Sequence, residues 1–456
     1  MGSSKHVVIV GAGPAGSLLT IFLAQRGFEV DVYERRPDMR KIAIPAGRSI
    51  NLALAERGIQ PLRRAGVFPQ VEKLLIPMRG RMVHTVDGEV TLQRYGQRED
   101  EVIHSVSRGG LNALLMDAAE RHNNVRFHFN QRCINVDFNK AKAIFRNEDD
   151  GSEQSVPMTP CVAADGAFSV VRRSMQALPG FTATEDLLGH SYKELTLPPN
   201  ARGQHQIETN ALHIWPRGGF MLIALPNLGG SFTVTLFLAT EGQQSFASLM
   251  GPDSLQAFFP ATFPDAHALI PDLERDFFVN PTESLMTVRC FPWHVDSMAG
   301  LIGDAAHAVV PFHGQGMNCA FEDCAELDEC VEAFGSDWQK IFQTYESRRK
   351  PNTEAIADMA LENYVEMRDQ VRDTGFVLKT EIAWELERRY PNRFIPRYSM
   401  VMFHHEIPYA EAKRRGAIQS QILDELAADC SAPNEIDYGK AATLIELHLD
   451  PLDNVA

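Results

Sequence analysis

The chain reads as an α/β protein. A Rossmann-like dinucleotide domain is interrupted by an antiparallel β-sheet domain and followed by a helical C-terminal region. Three observations predict this. A β-α-β unit opens the chain, with Gly11-Ala12-Gly13-Pro14-Ala15-Gly16 between its first strand and its helix. Between about 185 and 290 short apolar runs take on the texture of an antiparallel sheet, and no clear helix separates the last three. From about 336 onward the apolar spacing is helical, apart from a Pro/Arg-rich break at 388–396.

His6 to Val10 is a buried strand by composition. Pro14 to Gln25 puts Leu18, Leu19, Phe22 and Leu23 on one helical face, and Gly27 closes that helix. Glu29 to Tyr33 is the next strand, and residues 48–65 read as loop then helix. Gly80 to Thr85 and Glu89 to Gln93 flank Asp87-Gly88, a hairpin signal. Leu111 to Arg121 is a helix introduced by Ser107. Strands are expected at Tyr192 to Leu197, Leu212 to Trp215, Phe220 to Leu225 and Ser231 to Leu238. The expected plan is a discontinuous dinucleotide domain over 1–75, 100–184 and 285–335, a sheet domain over 76–99 and 185–284, and a helical region over 336–456.

Bulk properties narrow the function. At 456 residues with 44% hydrophobic and 23% charged residues, the chain suits a large folded core. A net charge of −15 argues against nucleic acid or an anionic membrane as partner. Seven cysteines without a C-x-x-C pair suit reduced, mostly buried thiols in a cytoplasmic protein. Cys319, Cys324 and Cys330 match no zinc spacing and are assigned to helix packing, so no metal is expected. Lys5 leads directly into a strand without a signal peptide, and no apolar run is long enough for a membrane span.

The Gly-rich segment has a mechanical reading. Gly11 allows a tight turn, Gly13 lets a pyrophosphate approach the backbone, and Gly16 lets helix and strand pack closely. Glu34 ends the second strand, where an acid can bind ribose hydroxyls, favouring FAD or NAD over NADP. A Gly-rich turn without a ligand is the alternative. A second half-site spans Leu301 to Asp323: a strand, the Gly303-Asp304 pair, a loop with Pro311, Phe312 and His313, then Gly-rich backbone opening a helix. Its carboxylate can hold ribityl hydroxyls and its helix start can face a phosphate. The Asp165-Gly166 turn after Cys161 to Ala164, with Ser169 and Arg172 beyond, is either a capped helix or a bridge between flavin and nicotinamide regions.

Other residues carry two readings each. Arg81 and Tyr95, on the two sides of the hairpin, could grip one carboxylate; Arg81 taken alone is more often a surface ion-pair residue. A helix from about Glu354 to Arg372 places Ile356, Met359, Ala360, Asn363 and Met367 on one stripe, with Glu366 on the same side. Asn363 interrupts that stripe with an amide that needs partners, in a site or between helices. Met221 with Ile223, and Thr235 with Phe237, share strand faces whose default role is core.

The order and spacing of the Gly-x-Gly-x-x-Gly, Asp-Gly and Gly-Asp segments resemble the single-component flavoprotein aromatic hydroxylases. The closer likeness is to the soluble bacterial branch that hydroxylates L-kynurenine. It rests on Gly47-Arg48-Ser49-Ile50-Asn51-Leu52, Met78-Arg79-Gly80-Arg81-Met82, Leu212-His213-Ile214-Trp215-Pro216 and Pro311-Phe312-His313-Gly314-Gln315-Gly316-Met317-Asn318. It rests also on Leu361-Glu362-Asn363-Tyr364-Val365-Glu366-Met367 and Phe394-Ile395-Pro396-Arg397-Tyr398-Ser399-Met400. The likeness runs from about residue 6 to about 425. The C-terminal membrane anchor of the family's eukaryotic members is not expected here, and no G-W-x-W-x-I-P segment of flavin halogenases occurs.

The resemblance implies FAD as cofactor and NADPH as co-substrate without a second Rossmann domain. It also implies O2 adding at the flavin C4a to give a hydroperoxide, and L-kynurenine becoming 3-hydroxykynurenine. Another aromatic acid or a quinone precursor is the alternative substrate. For FAD it implies Gly11, Gly13, Ala15, Gly16, Glu34 and Arg35, then Arg48, Arg108 and Asp165. It adds Gly303, Asp304, Pro311, Gly314, Gly316, Met317 and Asn318. For the substrate carboxylate it implies Arg81, Tyr95, Asn363 and Tyr398, with Glu366 and Met367 close by. Leu212, Met221, Ile223, Thr235 and Phe237 would form the floor under the ring, and Phe312, His313 and Gln315 would sit beside the flavin. His313 is given a positional or hydrogen-bonding role. A monomer or homodimer is expected.

Overall fold

The computed structural model describes residues 5–41, 51–158, 160–370, 374–428, 430 and 432–452. The opening strand His6–Val10 runs parallel to Glu29–Tyr33 on one side and to Cys161–Ala163 on the other. The sheet has six strands. Val125–His128 extends it beyond Glu29–Tyr33, and Ala299–Leu301 and the short antiparallel His294–Val295 extend it beyond Cys161–Ala163. Val7, Val8 and Ile9 are fully buried, as expected for a parallel strand covered on both faces. The chain leaves the opening strand towards one side of the sheet and later returns on the other. Such a reversal opens a crevice at the strand carboxyl ends, where α/β proteins bind ligands. Three neighbouring strands end there, at Val10, Ala163 and Leu301, and they deliver Gly11, Asp165 and Gly303 to one edge.

A second sheet has seven strands in the order Glu283–Phe291, Thr182–Leu197, Phe232–Ala239, Met221–Pro226, Leu212–Pro216, Gly80–His84 and Val90–Arg94. All neighbours are antiparallel except Gly80–His84, which runs parallel to Leu212–Pro216. The sheet is antiparallel as expected, with this one parallel join. The hairpin arrives from a distant stretch of chain, so no tight turn fixes its direction. Helices Pro252–Thr262 and Leu273–Val279 cover the back of this sheet through Phe259 and Phe277, with Phe263 just past the first helix, packed on Leu222, Val234 and Leu236. Sequence reading does not anticipate these helices.

The front face carries Leu212, Met221 and Phe237 towards Phe312, Tyr364 and Met367. Tyr364 belongs to the long helix Trp338–Val365, which continues as a π-helical turn over Glu366–Gln370. The helix expected to run to Arg372 is therefore interrupted at Glu366, and Arg372 lies outside the described residues. A π turn adds a residue per turn and rotates the chain beyond it, which is how such turns re-aim side chains at functional sites. Among the described residues no helix is long and apolar enough to cross a membrane.

Candidate active site

At the crevice, Gly11 has φ +99°, and a Cβ there would lie 2.5 Å from the Ala164 carbonyl oxygen. A Cβ on Gly16 would meet the Gly11 oxygen at 2.1 Å, so both positions admit only glycine. Gly13 differs, because a Cβ there would enter open space. Gly11 and Gly16 serve packing, and Gly13 leaves a cradle at the start of the helix Pro14–Gln25. Glu34 is buried at the end of the second strand. Its carboxylate accepts the Ala12 N–H at 2.9 Å and the Arg36 N–H at 3.0 Å, beside exposed Arg35.

Asp165 accepts the Val170 N–H at 2.7 Å through Oδ2, while its buried Oδ1 has no protein partner. Burial raises its pKa above the ordinary carboxylate value. Asp304 is exposed into the same cavity as Gly13, Ala15 and Arg108. Gly303, at φ +58°, gives its N–H to Asp323 Oδ2 at 3.1 Å. Asp323 also lies 2.6 Å from His307 Nε2 and accepts Arg349 Nε at 2.6 Å. His307, Cys319 and Asp323 bring three metal-type donors together. Arg349 and the Gly303 amide already occupy the carboxylate, so we read the group as an ion-pair network holding the Gly-Asp turn. The seven cysteines are free, and Cys319, Cys324 and Cys330 are buried along one helix.

From this crevice a cavity of about 380 Å³ reaches the front of the seven-stranded sheet, within the size range of small-molecule sites. Arg81 sits in it, 8% exposed. Its guanidinium lies 5.8 Å from the Tyr95 ring centre and 5.2 Å from that of Tyr398. Its Nη1 is 3.6 Å from Glu366 Oε1. Burial opposes the Arg81 charge, but Tyr398, Tyr95 and Glu366 outweigh it and the pKa rises. Burial pushes Tyr95 up to about 12 and Tyr398 well above the ordinary phenol value, so both are neutral donors.

Leu212, Met221, Ile223, Thr235 and Phe237 line the cavity from the sheet. Pro311, Phe312, His313, Gly314, Gly316 and Met317 line it from the loop opposite. His313 is buried with Nδ1 unpartnered, and burial with nearby Arg397 pushes its pKa down to about 3. It is neutral at working pH. Phe312 stacks on Tyr364 at 4.0 Å, and Met367 and Tyr398 complete the wall.

Some expected residues stand behind this wall rather than in it. Asn363 donates to the Phe312 carbonyl at 2.6 Å, and Asn318 donates to the carbonyls of Ala53 and Gly314 at 2.9 and 2.8 Å. Gln315 is 1% exposed; its amide meets the Tyr409 hydroxyl at 2.7 Å and Met402 Sδ at 3.0 Å. Arg48 lies outside the described residues. Sequence reading gives no role to Tyr192, Asn51 and Met402, which also line the cavity. Tyr192 alternates with Glu194 along its strand, and Met402 lies one helical turn past Tyr398. Those spacings are the available signals.

The open cradle at Gly13 and the orphaned Asp165 Oδ1 and His313 Nδ1 fit a bound FAD. Fold and site together define an FAD-binding aromatic-hydroxylase class. The sequence pattern of the family described as "FAD binding domain" matches residues 4–360. The kynurenine 3-monooxygenase of Myxococcus xanthus is 48% identical over 445 residues, 98% of this chain and 96% of that protein. That of Stenotrophomonas maltophilia is 46% identical over 452 residues, 99% of this chain and 98% of that protein. The chain belongs to the kynurenine 3-monooxygenase family. Among solved structures, p-nitrophenol 4-monooxygenase from Pseudomonas putida superposes with a TM-score of 0.65 at 17% identity, covering 92% of this chain and 96% of that one. 2-Methyl-3-hydroxypyridine-5-carboxylic acid oxygenase gives 0.63 at 19% identity, covering 81% and 94%. At such identities the likeness is one of fold.

Proposed function

We propose that this chain is a cytoplasmic FAD-dependent monooxygenase that consumes NADPH and O2 and converts L-kynurenine to 3-hydroxykynurenine, as a monomer or homodimer. The observation that carries the substrate is Arg81, a buried guanidinium flanked by two neutral phenols, in a cavity whose sheet-side wall is mostly apolar. That arrangement suits one carboxylate held by a fork and two hydroxyl donors. Glu366 stands beside it, where an amino-acid ammonium can pair.

The chemistry that FAD supplies when bound is acceptance of reducing equivalents from NADPH and transfer of one oxygen atom from O2 to an aromatic ring. Gly13, Glu34, Asp165 and Asp304 would hold it. The remaining work belongs to the chain. Arg81, Tyr95 and Tyr398 anchor the substrate's amino-acid end, which directs the ring along Met221, Ile223 and Phe237 towards residues 311–317. The ring amine of L-kynurenine donates electrons to its ortho carbon, so orientation alone selects position 3. The apolar walls exclude water during transfer. His313, being neutral, contributes a hydrogen bond and no proton.

The test compares L-kynurenine with its decarboxylated analogue and with benzoic and phenolic acids. NADPH oxidation is counted only where it yields hydroxylated product. Coupled turnover confined to L-kynurenine is expected. Equal coupled turnover of the decarboxylated analogue would remove the carboxylate anchor, and preference for a simple aromatic acid would shift the substrate assignment.

A further inference from the structure

Arg57 is 1% exposed, on the first turn of the helix Glu56–Arg64, and lies outside the cavity. Burying a guanidinium is costly unless its donors are satisfied. Here one short segment satisfies nearly all of them. Nε donates to the Val401 carbonyl at 2.7 Å, and Nη2 to those of Met400 and His404 at 3.0 and 3.1 Å. Nη2 also donates to the Ile407 carbonyl, and Nη1 to Glu322 Oε1 at 2.9 Å. The guanidinium lies 4.1 Å from the centre of the buried Tyr409 ring.

The segment held in this way carries part of the site. Met400 and Val401 belong to the last turn of the helix Arg397–Met402, whose carbonyls have no partner within the helix. A cation is the natural cap there. That helix carries Tyr398, stacked on Tyr95, and Met402, which lines the cavity. Tyr409 donates to Gln315 Oε1, and Gln315 Nε2 reaches Met402 Sδ. At the other end, Asn318 Oδ1 accepts the Ala55 N–H at 2.9 Å and fixes the start of Arg57's own helix. The contacts form a closed circuit. It runs from residues 314–318 through Asn318 to Arg57, on to the segment 400–409, and back through Tyr409 to Gln315.

We infer that Arg57 is a positioning residue for the aromatic substrate: by clamping the segment Met400–Tyr409 it sets Tyr398 against Arg81 and Gln315 against Met402. This rests on reading the Arg81 end as a carboxylate site. Arg57 does not line the cavity, so its loss should loosen the substrate wall and leave the cradle at Gly13 intact.

The experiment measures ligand binding by calorimetry on the FAD-loaded enzyme without NADPH, for wild type, Arg57→Gln, Arg57→Lys and Tyr409→Phe. The probe is L-kynurenine, or whichever benzoic or phenolic acid the wild type binds most tightly. A different best ligand would displace the substrate assignment while leaving the comparison of variants intact. FAD affinity is measured separately by flavin fluorescence on the apoprotein. Arg57→Gln should weaken the probe by about tenfold or more, with FAD affinity within about twofold of wild type. Arg57→Lys, which keeps the charge but not the planar fork, should recover part of the loss. Tyr409→Phe, which removes one hydroxyl and keeps the packing, should weaken the probe several-fold and decides the matter if Arg57→Gln does not fold. Wild-type probe affinity in Tyr409→Phe, or in a folded Arg57→Gln, overturns the inference. So does a parallel loss of FAD and probe affinity, which would mark a general folding role.

Discussion

The rings of Tyr95 and Tyr398 stack with centroids 5.4 Å apart and planes 16° apart, one at the sheet hairpin and the other on a helix of the C-terminal region. Arg81 lies against both. Two distant stretches of chain are thus joined at the point where a substrate carboxylate would be held, and neither half makes the anchor alone.

Replacing Arg81 tests that anchor. Arg81→Ala should raise the substrate KM by one to two orders of magnitude, roughly the worth of a charge-assisted hydrogen-bond pair. FAD affinity should stay unchanged. Arg81→Lys should fall between, because an ammonium cannot make the two-pronged contact. Steady-state kinetics with parallel FAD titrations check this, and an unchanged KM in Arg81→Ala would remove the residue from the site.

The glycines of the dinucleotide turn should separate into two kinds. Gly11→Ala combines a left-handed φ with a Cβ 2.5 Å from a carbonyl oxygen, so the apoprotein itself should lose stability. Gly13→Ala meets only open space, so the apoprotein should melt as wild type while FAD affinity drops. Thermal unfolding without FAD and a flavin titration distinguish them. Equal FAD affinity in Gly13→Ala would show that the cradle is not the cofactor's.

Glu194 predicts a pH dependence of stability. It is 8% exposed; burial and then Glu283 raise its pKa to about 7, with Arg108 opposing. An unfolded glutamate titrates near 4.5, so between the two values the folded state binds the extra proton. Stability contributed at this position therefore falls as pH rises through that window. Glu194→Gln should be close to wild type in stability near pH 5 and gain on it by on the order of 1–3 kcal/mol near pH 8. Melting curves across that range check the sign, and a gain confined to low pH would contradict it.

His313 should leave no trace in the pH profile. With its pKa pushed down to about 3, it stays neutral from pH 6 to pH 8. His313→Asn should lower coupled turnover through lost packing and hydrogen bonding, yet keep the shape of the kcat profile across that interval. Loss of a limb of the profile would give His313 a proton-transfer role.

Much of the fold is legible in sequence because it is local. The opening strand, its helix and the second strand occupy the expected residues, and Ser107 caps its helix by accepting the Gly110 N–H at 3.3 Å. Less local features are not. The strand Asn51–Leu54 reads as loop because its partner Ile103–Ser107 is distant and its apolar run is short. The parallel join of Gly80–His84 depends on where the hairpin docks, which hydropathy does not encode. Gln315 and Asn318 lie in a segment that the family resemblance places beside the flavin, but their amides are consumed in tying the loop to Tyr409 and to Ala55. Arg57 gives no signal at all, since an arginine in a helix's first turn looks like any solvated charge until its acceptors arrive from the segment 400–407.

The most direct test of the assignment is product identification. The purified, FAD-loaded enzyme is given L-kynurenine, NADPH and 18O2, and the product is resolved by chromatography and mass spectrometry. We expect 3-hydroxykynurenine carrying one 18O atom, formed in step with NADPH consumed. NADPH oxidation that releases only peroxide, or a hydroxyl at another ring position, would contradict the assignment.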